Sequence, residues 1–187
     1  MIKVFIKACG DTYGEQHSAA YEMLFDAVKK LYGVNASFDD ILTSERGKPY
    51  FKDIPVSFNI SHSKGIAVSA VTERANGEVG VDCENIRICR RNTAARVFSP
   101  EERQLILNSP DINLAYTKLW TLKEAYVKYT GTGLAGHMRD ISFSYKNGEI
   151  LSSDGTVALF TRVNDGLTAV SLCCRRDQRA EFIEVSR

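Results

Sequence analysis

The sequence predicts an α+β fold in which each half of the chain packs one helix on a mainly antiparallel sheet. Three observations carry this. Period-two alternation opens the chain, with Ile2, Val4, Ile6 and Ala8 set against Lys3, Phe5, Lys7 and Cys9. One strongly patterned helical stretch falls in each half, at about 15–32 and about 112–129. Short alternating runs bounded by Gly, Asn and Asp occupy the rest. The expected division is an N-terminal lobe, 1–85, and a C-terminal lobe, 86–187. No Pro/Gly/Ser-rich linker separates them, so the lobes must pack together.

The elements follow in order. In the first helix Ala19, Met23, Ala27 and Leu31 recur every four residues, and Gly33 is a natural stop. Residues 37–55 read as loop, with a helix start possible at Ser37-Phe38-Asp39-Asp40 and a turn at Arg46-Gly47-Lys48-Pro49. Val56–Ile60, Ile66–Thr72 and Glu78–Glu84 read as strands, with Ala75-Asn76-Gly77 as a hairpin signal between the last two. Ser99-Pro100-Glu101-Glu102 has the order of an N-cap, a first-turn proline and a capping-box acid. Beyond the long helix, alternation returns around 141–145, 157–159, 167–173 and 182–185, and Asn147-Gly148, Asp154-Gly155 and Asp165-Gly166 mark turns.

Composition narrows the function classes. At 187 residues, 44% hydrophobic and 25% charged, the chain reads as an ordinary soluble globular protein. A net charge of +1 gives no general attraction to nucleic acid. No run approaches the roughly 20 apolar residues of a membrane span. Cys9, Cys83, Cys89, Cys173 and Cys174 show no CxxC pairing and no zinc spacing with His17, His62 or His137, and reduced thiols in a cytoplasmic protein are the expectation.

Two segments concentrate the chemistry. In Gly80-Val81-Asp82-Cys83-Glu84 a strand would put Asp82 and Glu84 on one face. In Trp120-Thr121-Leu122-Lys123-Glu124-Ala125 a carboxylate lies among Lys123 and Lys128 on a helix apolar on two sides, which fits a helix wedged between partners. Three converging carboxylates call for a hard cation such as Mg²⁺ or for lysines to offset their repulsion. The bland readings are an edge strand with two solvated acids and a surface Glu124–Lys128 pair worth a few tenths of a kcal/mol. Asn59-Ile60-Ser61-His62-Ser63-Lys64-Gly65 suits a phosphate or is simply a tight turn, and the absence of a GxSxG elbow argues against a Ser-His hydrolase. Arg87, Arg90, Arg91 and Arg96 form a basic run that could steer an acidic partner or be a solvated loop.

In order, Gly47-Lys48-Pro49, Phe58-Asn59-Ile60-Ser61-His62-Ser63, Gly80–Glu84, Phe98–Glu102, Trp120–Lys128 and Gly131-Thr132-Gly133-Leu134 resemble the 4′-phosphopantetheinyl transferases of the two-lobed, surfactin-synthetase-activating type. The resemblance spans roughly residues 41–134 and implies two similar, pseudo-duplicated lobes with the site between them. It implies transfer of the phosphopantetheine arm of coenzyme A to a serine of an acyl or peptidyl carrier protein, with release of 3′,5′-ADP. Asp82, Glu84 and Glu124 would hold Mg²⁺. Lys48, Ser61, His62, Lys123 and Lys128 would bind the coenzyme, with Glu124 as proton acceptor and Lys128 stabilising the leaving group. Arg87, Arg90, Arg91 and Arg96 would meet the carrier. Lys29 and Lys30 are the only basic residues the first helix offers for the coenzyme. A chain that builds its whole cleft internally need not oligomerise, and a monomer is the expectation. The alternative is a transferase-like protein that holds coenzyme A or a carrier domain without turnover.

Overall fold

Two sheets share one apolar interior, and a helix covers the outer face of each. The computed structural model describes residues 1–133, 137–139, 141–146 and 149–186, so Leu134 and the Asn147-Gly148 turn lie outside the described residues. β1 (Ile2–Ala8) and α1 (Tyr13–Tyr32) open the chain. Thr12 and Glu15 form a capping box at the start of α1, and Gly33, at φ 71°, ends it. β2 (Ile41–Thr43) and β3 (Pro49–Phe51) make a small hairpin where the sequence reads as loop, because three-residue strands are too short to show a period. β4 (Val56–Ser63), β5 (Ile66–Glu73) and β6 (Val79–Asn85) follow. Next come α2 (Arg91–Val97), a helical turn pair within the basic run, α3 (Pro100–Leu107) and α4 (Ile112–Thr130). The expected capping box starts α3. β7 (Phe143–Lys146), β8 (Glu149–Ser152), β9 (Val157–Asn164), β10 (Thr168–Arg175) and β11 (Ala180–Val185) complete the described elements.

The first sheet has the order β11-β1-β5-β4 and the second β6-β10-β9. Every pairing in them is antiparallel except β1 with β11. The expected β5–β6 hairpin does not form: residues 74–76 make a 3₁₀ turn and β6 pairs with β10. Both edges of β5 are already taken, by β1 and β4, so β6 has no ladder to join there. The sheets therefore cross a cut at 85/86, since β6 enters the second sheet and β11 the first.

Alternation decides what each face meets. Ile2, Val4 and Ile6 of β1, Val79, Val81 and Cys83 of β6, and Val170, Leu172 and Cys174 of β10 form one core between the sheets. Phe5 and Val71 point the other way, into a core with Ala20, Leu24 and Val28 of α1. α4 lies on the outer face of β6 and β10, with Leu119, Leu122 and Tyr116 in a core shared with Phe98 and Phe143. Gly80 permits that contact, because a Cβ there would lie 2.1 Å from the Ala125 carbonyl oxygen and 2.3 Å from the Tyr129 nitrogen. No helix among the described residues is long and apolar enough to cross a membrane.

Candidate active site

With Val79, Val81 and Cys83 committed to the inner core, the pleat turns Gly80, Asp82 and Glu84 toward α4. Gly80 brings the helix down onto the strand, and Asp82 and Glu84 then line the same cavity, about 470 Å³, as Glu124 and Lys128 from α4. The Lys128 ammonium donates to Asp82 Oδ1 at 2.8 Å, to Ser61 Oγ at 3.0 Å and to the Val81 carbonyl at 3.1 Å. Glu84 accepts from Ser63 Oγ at 3.3 Å and pairs with Arg87 at 3.4 Å.

β4 closes the cavity and stitches the sheets together at one edge. Asn59 Oδ1 accepts from the Val81 N–H at 2.8 Å, and Ser61 Oγ accepts from the Cys83 N–H at 3.3 Å. These side chains satisfy donors that a neighbouring strand would otherwise take. Ser61 also donates to Asp82 Oδ1 at 2.9 Å, so its hydroxyl is engaged within the site. Cys83 is buried in the opposite face and its thiol is pushed up to about 12 by burial, which leaves it unreactive.

Glu124 carries the electrostatic signature. Burial, then the Asp82 carboxylate, push its pKa up to about 7, against the opposing pull of Lys128 and Arg87. Burial, more than charge crowding, therefore favours the protonated form of Glu124. The donor set is all carboxylate oxygen, which fits a hard divalent cation. Among the described residues no three His, Cys, Asp or Glu side chains come together as a ready ligand cluster, and Asp82 is held by Lys128 instead.

Several expected site residues are brought together and others are not. His62 lines the cavity, and burial followed by His17 and Lys128 lowers its pKa. Lys48 lines an adjoining cleft of about 250 Å³ that shares Pro49, Ile60, Glu124 and Lys128 with the main cavity. Its ammonium pairs with Glu78 at 2.7 Å and reaches the Val79 and Tyr129 carbonyls. Lys123 does not face the cavity: it is fully buried, 3.0 Å from Glu102, and donates to the Met138 and Ile141 carbonyls. One residue step on a helix is about 100° of rotation, which turns Lys123 into the core when Glu124 faces the cavity. The expectation that Lys123 binds the coenzyme is corrected accordingly.

The arginine run is divided as well. Arg87 stacks on Trp120, its guanidinium 4.3 Å from the ring centroid, and enters the cavity. Arg90, Arg91 and Arg96 are exposed, and Arg90 borders a separate cavity of about 420 Å³ with Trp120 and the exposed Ile88. Lys29 and Lys30 lie in the last turn of α1, and Tyr13 and His17 at its other end line the cavity. The Tyr13 ring meets His62 edge-on at 5.1 Å, and the two histidine rings are 6.2 Å apart. The i,i+4 spacing of Tyr13, His17 and Tyr21 was the available signal for these residues.

A sequence model described as the 4'-phosphopantetheinyl transferase superfamily matches residues 78–173, from the start of β6 into β10. A Bacillus pumilus protein named 4'-phosphopantetheinyl transferase psf-1 is 33% identical over 157 residues, covering 76% of this chain and 64% of that relative. A Bacillus subtilis 4'-phosphopantetheinyl transferase is 33% identical over 145 residues, covering 74% and 63%. The chain thus spans a little under two thirds of the length of these relatives. A Thermotoga maritima holo-[acyl-carrier-protein] synthase structure aligns with a TM-score of 0.46 and 26% identity, over 54% of this chain and 63% of that one.

Proposed function

Because the chain belongs to the 4'-phosphopantetheinyl transferase superfamily, we propose that it transfers the 4′-phosphopantetheine arm of coenzyme A to a serine of an apo carrier protein and releases 3′,5′-ADP. The observation that carries this reading is Glu124, a carboxyl held at about 7 in a cavity that also presents Lys128 and His62. Attack of a hydroxyl on a diphosphate ester needs a base near the incoming oxygen and positive charge at the phosphates. Glu124, whose pKa is raised by burial and by Asp82 in the metal-free site, suits the first task. Lys128 supplies charge for the second, and neutral His62 can take a proton as phosphate arrives.

The two adjoining clefts share four lining residues and together form a trough, with Lys48 in one part and the Tyr13, His17 and His62 rings in the other. Phosphate oxygens in this trough would compete with Glu78 for Lys48 and with Asp82 for Lys128. Asp82, Glu84 and Glu124 would hold Mg²⁺, whose chemistry when bound is to neutralise charge on the diphosphate. Release of Asp82 from Lys128 would free both groups for these roles. The exposed Arg90, Arg91 and Arg96, with Ile88 nearby in the chain, would receive an acidic carrier surface. We propose a cytoplasmic location and a monomeric state, as the resemblance implies.

Intact-mass measurement of an apo carrier protein after incubation with the protein, coenzyme A and Mg²⁺ tests the reading. The expected result is a gain of about 340 Da, the mass of the arm, which EDTA prevents. Coenzyme A binding without any mass gain on acyl and peptidyl carriers alike would favour the non-catalytic alternative.

A further inference from the structure

We propose that Lys123 and Glu102, a buried pair outside the cavity, are positioning residues that fix the rotation of α4 and so keep Glu124 turned into the site. This rests on the function proposed above for Glu124. The ammonium of Lys123 has three donors and three acceptors: Met138 O at 2.7 Å, Ile141 O at 2.5 Å and Glu102 Oε2 at 3.0 Å. Glu102 is saturated in turn, accepting from the Ser99 N–H at 2.8 Å and the Phe143 N–H at 2.9 Å. The phenyl rings of Phe98 and Phe143 flank the ammonium at 5.8 and 5.4 Å. Four segments are thereby tied to one point on α4: the start of α3, the turn at 137–139, the stretch leading into β7, and β7 itself.

Such a tie is needed because the cavity side works against it. Turning Glu124 inward buries it beside Asp82 and Glu84, so repulsion and lost hydration favour rotating the helix away. The apolar contacts of Leu119 and Leu122 are non-directional and tolerate small rotations. A fully coordinated ammonium does not, since any rotation strands a buried donor. The pair also holds two backbone N–H groups and two carbonyls, so it contributes to stability as well as to position, and the two effects have to be read separately.

The test is the double substitution Lys123→Met with Glu102→Met, which fills similar volume without charge. The variant leaves the Ser99 and Phe143 N–H groups and the Met138 and Ile141 carbonyls without these partners, so it should melt below the parent, while kcat per folded molecule falls at least about tenfold and KM for coenzyme A changes little. Hydrogen exchange of α4 amides between 119 and 128 should quicken about tenfold more than the change in global stability accounts for. Restoring the charges with Lys123 and Glu102→Asp should recover part of kcat. Unchanged kcat and unchanged exchange in a folded double variant would overturn the inference, as would a loss of activity that only tracks the unfolded fraction. The exchange measurement stands even if the parent protein modifies no carrier, so failure of the proposed function is read separately.

Discussion

On the core side of α4, the Lys123 ammonium has all its donors matched within 3.0 Å and is fully buried. One residue further along, on the cavity side, Glu124 is desolvated and crowded by Asp82 and Glu84, with its pKa near 7. Both charges sit on one helix and in one sequence motif. The first is saturated by the protein and has nothing left for a ligand. The second is left partly uncompensated, and a cation, a proton or a substrate can complete it. A buried charge therefore signals function through what it lacks rather than through burial itself.

The strongest break of this contrast is Glu124→Ala, expected to lower carrier modification by about 1000-fold with far-UV circular dichroism unchanged. Asp82→Ala should act similarly. Persistent turnover in both would remove these residues from the chemistry. Gly80→Ala attacks the contact that sets Glu124 over Asp82: a Cβ 2.1 Å from the Ala125 carbonyl forces α4 off β6. A loss of roughly 3 kcal/mol in urea unfolding is expected.

A gentler probe is Glu124→Gln. The folded pKa of Glu124 is raised from 4.5 to about 7, so the folded chain holds this proton more tightly than the unfolded chain. The stability it adds is fully present below about pH 4.5 and is lost as pH rises through about 7. In EDTA the parent should therefore lose on the order of 2 kcal/mol relative to the Gln variant between about pH 5 and 8. Parallel stability profiles would show that Glu124 is not strained. The smallest effect is expected at the rim, where Arg90→Glu with Arg91→Glu should raise KM for an acidic carrier about tenfold and weaken its salt dependence, with kcat retained.

Much of this was legible in the residues. The capping box of Ser99 and Glu102, the αL stop at Gly33 and the shared face of Asp82 and Glu84 are local rules, and the structure follows them. The burial of Lys123 was not legible, because α4 is apolar on two sides and periodicity alone does not say which side holds the cavity. Tyr13 lies just before the helix expected from about residue 15, and His17 lies outside its apolar stripe, so neither stood out. The departure of β6 from β5 was hidden for a different reason. Ala75-Asn76-Gly77 carries a local hairpin signal, but the occupancy of both edges of β5 is decided by β1 and β4.

The parallel pairing of β1 with β11 sets a constraint in time. Ile2 lies opposite Ala180 and its N–H donates to the Arg179 carbonyl at 2.8 Å. Loop closure over such a separation costs chain entropy before any contact repays it, and high contact order slows folding. During synthesis β1 must wait, with one edge bare, until residues 180–185 leave the ribosome. Chaperone dependence should therefore concentrate in nascent chains that stop short of Ala180.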